Sequence, residues 1–238
     1  MRRLTIFLLL PVLLLAGCAR QDAPSAETSL EGRPLTEEEI EAVNTAFASW
    51  VEEEGVVGAT PVSGFFTSHY DDVRQLSFPE FLYYFPGDGV LGEADQAEFA
   101  ALAALPDFPF REGVDTLGWA SPEDLPVPVH RITRASVDAA LERYAGITSA
   151  DLADTSGVLW LEEYDAWYTF TSDFGPGVFA CAGGYVDEDG GTALLWSEAD
   201  GDGGRTELTL GKDGEDWHIR AFRAVPGAED PGEIVNIS

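Results

Sequence analysis

Apolar residues recur along this chain first at helical and then at alternating intervals, and the change falls at Gly157. Thr36-Glu37-Glu38-Glu39 fits a capping box, with Thr36 as N-cap, Glu39 three residues on, and acids where the helix dipole favours them. Ile40, Val43, Phe47, Trp50 and Val51 follow on one face and Gly55 supplies a stop, so the spacing predicts a helix over 37–54. Val56 to Tyr70 holds Gly58, Pro61 and Gly64 and reads as loop, with a short extended piece near Phe65 to His69. Ser77 and Glu80 form a second capping box. Phe78, Phe81, Leu82 and Phe85 make the buried face of that helix, Pro79 is tolerated in its first turn, and Pro86-Gly87 ends it. An alanine-rich helix over about 93–105 stops at Pro106. The proline-rich stretch from Pro106 to Val129, with a helical turn at Ser121-Pro122, predicts an irregular cover and not a separate domain. Thr133 caps a helix over 134–145, with Val137, Leu141 and Tyr144 at helical spacing and Gly146 as terminator, and Thr148 to Asp151 repeats the cap for one turn.

Beyond Gly157 the pattern predicts strands at Leu159 to Thr171, Val178 to Val186, Ala193 to Ser197, Thr206 to Leu210 and Trp217 to Val225. Gly175-Pro176-Gly177, Asp189-Gly190-Gly191, Asp202-Gly203-Gly204 and Lys212-Asp213-Gly214 connect them with turn chemistry, and short links imply antiparallel neighbours. The expected fold class is α+β: N-terminal helices packed on a C-terminal antiparallel β-meander of about five strands, in one domain over 36–228. In element order, helix 37–54 followed by the meander over 157–225 resembles the cystatin-like and NTF2-like α+β folds. The proline-rich block at 106–129 has no place in that plan.

The first residues have a different pattern. Arg2 and Arg3 precede an apolar run from Leu4 to Leu15, broken only by Thr5 and Pro11, and Leu15-Ala16-Gly17-Cys18 follows. A run this short falls below the ~20 residues a spanning helix needs and has the plan of a cleaved export signal. Leu15 to Cys18 resembles the lipobox of bacterial lipoproteins. That resemblance implies cleavage after Gly17, a signal peptide over 1–17, a diacylglyceryl group on the Cys18 thiol and an address on the extracytoplasmic face of the cell membrane. Residues 18–35 are then the lipidated cysteine and a flexible tether, rich in Ser, Ala, Pro, Glu and Asp. If the envelope has two membranes, Ala19 carries no retention signal of the aspartate kind. The mature chain as a whole resembles uncharacterised extracytoplasmic bacterial lipoproteins, which bring no assigned activity.

Charge narrows the partners. The formal net charge is −30, from 13 basic and 43 acidic residues, and loss of the leader would remove two more positive charges. Such a surface repels nucleic acid and anionic headgroups, favours cationic partners, and is most simply a solvated, self-repelling exterior. A hydrophobic fraction of 45% with 11% aromatic residues fills a core of this size and argues against a disordered chain. Lipidation would consume Cys18 and leave Cys181, between Ala180 and Ala182, as a small buried thiol.

The candidate chemistry is sparse. Gly87-Asp88-Gly89-Val90-Leu91-Gly92 spells a dinucleotide fingerprint, but a helix precedes it instead of a strand, and Asp88 would repel a pyrophosphate. His69, His130 and His218 are far apart, so no metal and no cofactor are expected. The acidic turns Asp187-Glu188-Asp189, Asp200 to Asp202 and Asp213 to Asp216 raise calcium binding, but none fits the EF-hand spacing and Asp is expected in turns. Glu163 and Asp165 share one face of a strand by period two, beside Tyr164 and Trp167. That arrangement suits either a solvated strand face or the paired carboxylates of a glycan-directed hydrolase. His69-Tyr70-Asp71-Asp72 reads as a turn or cap before the next helix, with ligand binding as the alternative. No nucleophile elbow or triad pattern is present, and the two-lobed βαβ alternation of a solute-binding protein is missing. The expectation is a non-catalytic binding or envelope-associated module, not an enzyme. Its partners are the membrane, through the lipid on Cys18, and a protein or cell-wall polymer that meets the acidic surface or the aromatic strand Trp160 to Phe170. The alternative is the hydrolase.

Overall fold

The computed structural model describes residues 32–53, 55–173 and 175–227, so the leader, Cys18 and the tether up to residue 31 lie outside the described residues. The fold is mixed α+β, as the two periods predict. Its first strand comes from the stretch read as tether: β1 (Gly32–Pro34) pairs antiparallel with β7 (Gly183–Asp187), Arg33 opposite Val186. Leu35 continues the contact with a 2.9 Å bond from its N–H to the Gly184 carbonyl and packs against the core.

α1 (Glu37–Ala46) starts as its cap dictates. Glu39 N–H donates to Thr36 Oγ1 at 3.3 Å, and Thr36 N–H donates to Glu39 Oε2 at 2.9 Å. It ends at Ala46, well short of residue 54. Trp50–Glu53 and Val56–Ala59 instead form a hairpin, β2 and β3, turning at Gly55 with φ +81°. The Thr60 hydroxyl donates to the Ala48 carbonyl at 2.6 Å and its N–H to the Ser49 carbonyl at 2.9 Å, taking two acceptors a longer helix would need. Trp and Val also favour a strand over a helix. Pro61–Phe66 is a buried 3-10 turn, not an extended piece. Phe78, Phe81, Leu82 and Phe85 are buried along α2 (Phe78–Tyr83) and just past it, although the Ser77 side chain makes no cap bond.

α3 (Gln96–Ala103) and the turn Pro122–Asp124 lie where expected. The proline-rich block contains a further helix, α4 (Arg111–Leu117), ahead of that turn, and runs on into a strand, β4 (Val129–Thr133). α5 (Arg134–Ala145) runs from the Thr133 cap to Gly146, which sits at φ +68°.

The run Leu159 to Thr171 is not one strand of the meander. It folds into β5 (Leu159–Leu161), a 3-10 turn over Glu162–Tyr164, and β6 (Ala166–Phe170), which pairs with β4 in a separate sheet of order β4-β6-β5. The main sheet has order β1-β7-β8-β9-β10, where β8 is Thr192–Trp196, β9 Arg205–Asp213 and β10 Asp216–Val225. The meander thus contributes four strands, and β1 supplies the fifth.

The small sheet is packed on both faces. Ile132 and Trp167 face the larger core, shared with α2, α5 and the main sheet, while Val129, Ala166 and Tyr168 face a second core under α3 with Phe99, Leu102 and Phe108. The proline-rich block is therefore the lid of a second core.

Candidate functional site

Polar groups converge at the seam between α3 and the small sheet. The Arg131 guanidinium on β4 donates from Nε to Glu98 Oε1 at 2.6 Å and from one Nη to Asp95 at 2.8 Å, and it also bonds the second Glu98 oxygen. The Tyr168 hydroxyl donates to Glu98 Oε1 at 2.5 Å. Glu98 and Tyr168 are 4% and 1% exposed. Burial, with the bond to Glu98, pushes the Tyr168 phenol well above its ordinary value, so it stays protonated as a donor. Asp95 also accepts from Gly92 N–H at 3.0 Å, so these polar groups are partnered within the fold and pin α3 to the sheet.

The fingerprint loop has a similar structural duty. Asp88 accepts from Thr133 N–H at 2.7 Å, Thr133 Oγ1 at 2.8 Å and Ser136 Oγ at 2.5 Å, which places a carboxylate at the N-terminus of α5, where an anion is favoured. Burial works against ionisation there, but the Ser136 and Thr133 bonds hold the carboxyl below the usual carboxylate range.

Glu163 and Asp165 do not share a strand face. Glu163 lies in the turn between β5 and β6, and Asp165 closes that turn at φ +48°. Period two fails because the chain reverses there. Glu163 is exposed, while Asp165 pairs with Arg134 at 2.9 Å. The Arg134 guanidinium stacks over Trp160 at 4.6 Å, and Trp160 Nε1 donates to Glu162 at 2.9 Å.

The histidines are separate. His69 stacks on Phe222 with ring centres 5.1 Å apart. His130 Nε2 lies 2.9 Å from the Thr171 carbonyl, which makes that nitrogen the donor. His218 on β10 is buried against the end of α5, and its Nδ1 has no hydrogen-bond partner. Burial and then the Arg220 charge lower its basicity, against the opposing pull of Asp216 and Asp213. Asp71 takes a 2.5 Å bond from Arg223 Nε, and Asp72 caps the following turn through Arg74 N–H at 2.9 Å.

Asp187 accepts from Gly191 N–H at 2.8 Å, and Asp200 accepts from Asp202 and Gly204 N–H at 3.0 and 2.8 Å, so these acids serve their own turns. Among the described residues no three His, Cys, Asp or Glu side chains gather around a common point. The Cys181 thiol is buried and its ionisation suppressed by that burial, and its backbone is clamped by Asn44 through bonds of 3.0 and 2.7 Å.

Thr67, Pro79, Glu80, Tyr83 and Tyr84 line a shallow, open pocket of about 250 Å³. Tyr83 and Tyr84 meet edge to face at 4.6 Å, and Tyr83 is 40% exposed. Glu80 is the single carboxylate in this lining, so the pocket has no acid pair. Sequence reasoning missed it. The available signal was two tyrosines beside a helix whose phenylalanines already fill its inner face. Comparison of the chain with protein-family models, with curated proteins and with solved structures finds no match. Among the described residues no helix is long and apolar enough to cross a membrane.

Proposed function

We propose that the chain is exported, lipidated on Cys18 and held on the extracytoplasmic face of the membrane, where it acts as a non-catalytic binding module. The observation that carries the address is the coincidence, at Leu15 to Cys18, of a basic start, a short apolar run, small residues and a cysteine. Binding is supported by exposed aromatic and apolar side chains, at Tyr83, beside the half-buried Tyr84, and at the β2–β3 hairpin, on a chain of net charge −30. The hydrolase alternative rested on a shared strand face for Glu163 and Asp165, and the turn at Asp165 removes that ground.

Metabolic labelling with a fatty-acid analogue tests the anchor. Wild type should incorporate the label and Cys18→Ala should not, and the alanine variant should leave the membrane fraction. Equal labelling of the two would end the lipoprotein reading.

A further inference from the structure

The β2–β3 hairpin stands apart from the rest of the fold. Its strands form a sheet of their own, and among the described residues no backbone bond ties Trp50 to Gly58 to any other strand. Trp50, Val51, Val56 and Val57 are 49%, 44%, 70% and 52% exposed, which groups four large apolar side chains on one projection. A two-stranded sheet with no covered face is marginal in water, and its open edges are templates for another strand.

The register identifies the free backbone groups. Thr60 N–H donates to the Ser49 carbonyl, so that facing pair is a hydrogen-bonded one. Alternation along the ladder then makes Trp50–Ala59 and Glu52–Val57 the pairs whose backbone groups point away from each other. On β2 the outward N–H and C=O groups therefore belong to Trp50 and Glu52. Trp50, Glu52 and Val57 also share one face of the hairpin. A strand added beside β2 would bond to Trp50 and Glu52, lay an apolar side chain on Trp50, and place a residue opposite the Glu52 carboxylate.

Charge selects the occupant. In sequence Glu52 is followed by Glu53 and Glu54, and the chain as a whole carries −30. A second copy of this chain, or an anionic lipid surface, would bring like charge to that edge, whereas a basic segment would neutralise it.

We propose that the outer edge of β2 takes up, by strand addition, an extended segment of a partner protein in which an apolar residue and a basic residue stand two positions apart, one facing Trp50 and the other Glu52. This gives the binding reading a place and a partner chemistry. It rests on that reading and not on the lipid.

The test uses the full chain and a fluorescent synthetic peptide of repeating Val-Val-Lys-Lys, which sets valine and lysine two positions apart, with a Val-Val-Glu-Glu peptide as its counterpart. Anisotropy should show binding of the first and not of the second. Glu52→Pro deletes an outward N–H without touching the β2–β3 ladder and should weaken binding about tenfold. Glu52→Gln removes only the charge and should weaken it about threefold. Val57→Pro, on the opposite edge, should stay within about twofold of wild type. Amide exchange at Trp50 and Glu52 should slow when the peptide binds.

Equal binding of the two peptides, no binding of either, or insensitivity to Glu52→Pro would overturn the proposal. Peptide binding lost in Tyr83→Ala but kept in Glu52→Pro would also overturn it, while leaving the binding reading intact at the tyrosine pocket. Sedimentation showing dimers that Glu52→Pro dissolves would assign the edge to a second copy, and flotation of the protein with anionic vesicles through this hairpin would assign it to lipid. Either result refutes the basic partner.

Discussion

Gly146 ends α5 in the left-handed region, with its N–H bonded to the Glu142 carbonyl at 3.1 Å, and a Cβ built there would sit 2.8 Å from His218 Nδ1 and 2.9 Å from its Cε1. Gly146→Ala therefore incurs two separate costs. An L-residue at φ +68° costs about 1–2 kcal/mol relative to glycine. The methyl also falls inside the contact distance of a ring that is itself only 9% exposed, so β10 or the end of α5 must shift, an overpacking cost of about 1–3 kcal/mol. Together they predict a loss of about 2–5 kcal/mol, or roughly 5–15 °C in Tm for a domain of this size. Urea unfolding of wild type, Gly146→Ala, His218→Ala and the double variant separates the terms. With the ring gone only the backbone cost remains, so the double variant should be more stable than the sum of the singles predicts, by about 1–3 kcal/mol. Additivity within about 0.5 kcal/mol, or a Gly146→Ala loss below about 1 kcal/mol, would refute the account.

Two further outcomes follow from buried polar groups. Glu98→Ala leaves the Arg131 guanidinium with Asp95 alone and the Tyr168 hydroxyl without its acceptor, and should cost about 3 kcal/mol in urea unfolding; a loss below 1 kcal/mol would mean that the cluster is wet. His218 is held neutral by burial and Arg220, so its folded pKa lies below the unfolded value of about 6.5 and the unfolded chain takes up the proton first. The stability it supports is present above that value and is lost as pH falls through it toward the folded pKa. The Tm of wild type should therefore fall more between pH 8 and about pH 5.5 than that of His218→Gln, whose carboxylate background is the same, and parallel curves would disprove the burial.

What was legible from the sequence was whatever the chain specifies locally. The Thr36 and Thr133 caps, the Phe78 to Phe85 face and the Gly146 stop each depend on residues within a few positions, and each holds in the structure. The failures share a cause. β1 is three residues whose only reason to be a strand is β7, far along the chain, and β4 is a strand because β6 and the Asp88 loop flank it. Trp50 and Val51 fell on the helical period by coincidence, while Thr60 and the turn at Gly55 decided the matter from outside the window. Asp165 was misplaced because alternation assumes that the chain does not reverse, and nothing in Glu162-Glu163-Tyr164-Asp165 announces a turn as an Asn-Gly pair would. The tyrosine pocket escaped because its lining joins Thr67 to α2, a pairing only the fold creates.

The charge imbalance, by contrast, means more with the structure than without it. Arg33, Arg74, Arg131, Arg134, Arg205 and Arg223 are each paired with a carboxylate of the same chain. Arg111 and Arg220 donate to the backbone carbonyls of Leu105 and Ala145, Arg143 lies over Tyr144, and Lys212 lies over Trp217. Every cation among the described residues is thus already engaged within the fold, and the exposed pairs among them contribute little stability. The excess acids have no internal partner to claim, and the field they produce is directed outward, where it raises the local concentration of cationic segments and slows like-charged ones. Some of these carboxylates, Asp151, Asp187 and Asp200 among them, serve the backbone of their own turns. At Glu52 the field coincides with an open strand edge and exposed apolar side chains, so electrostatic attraction, backbone hydrogen bonding and apolar burial would all act on the same incoming segment there.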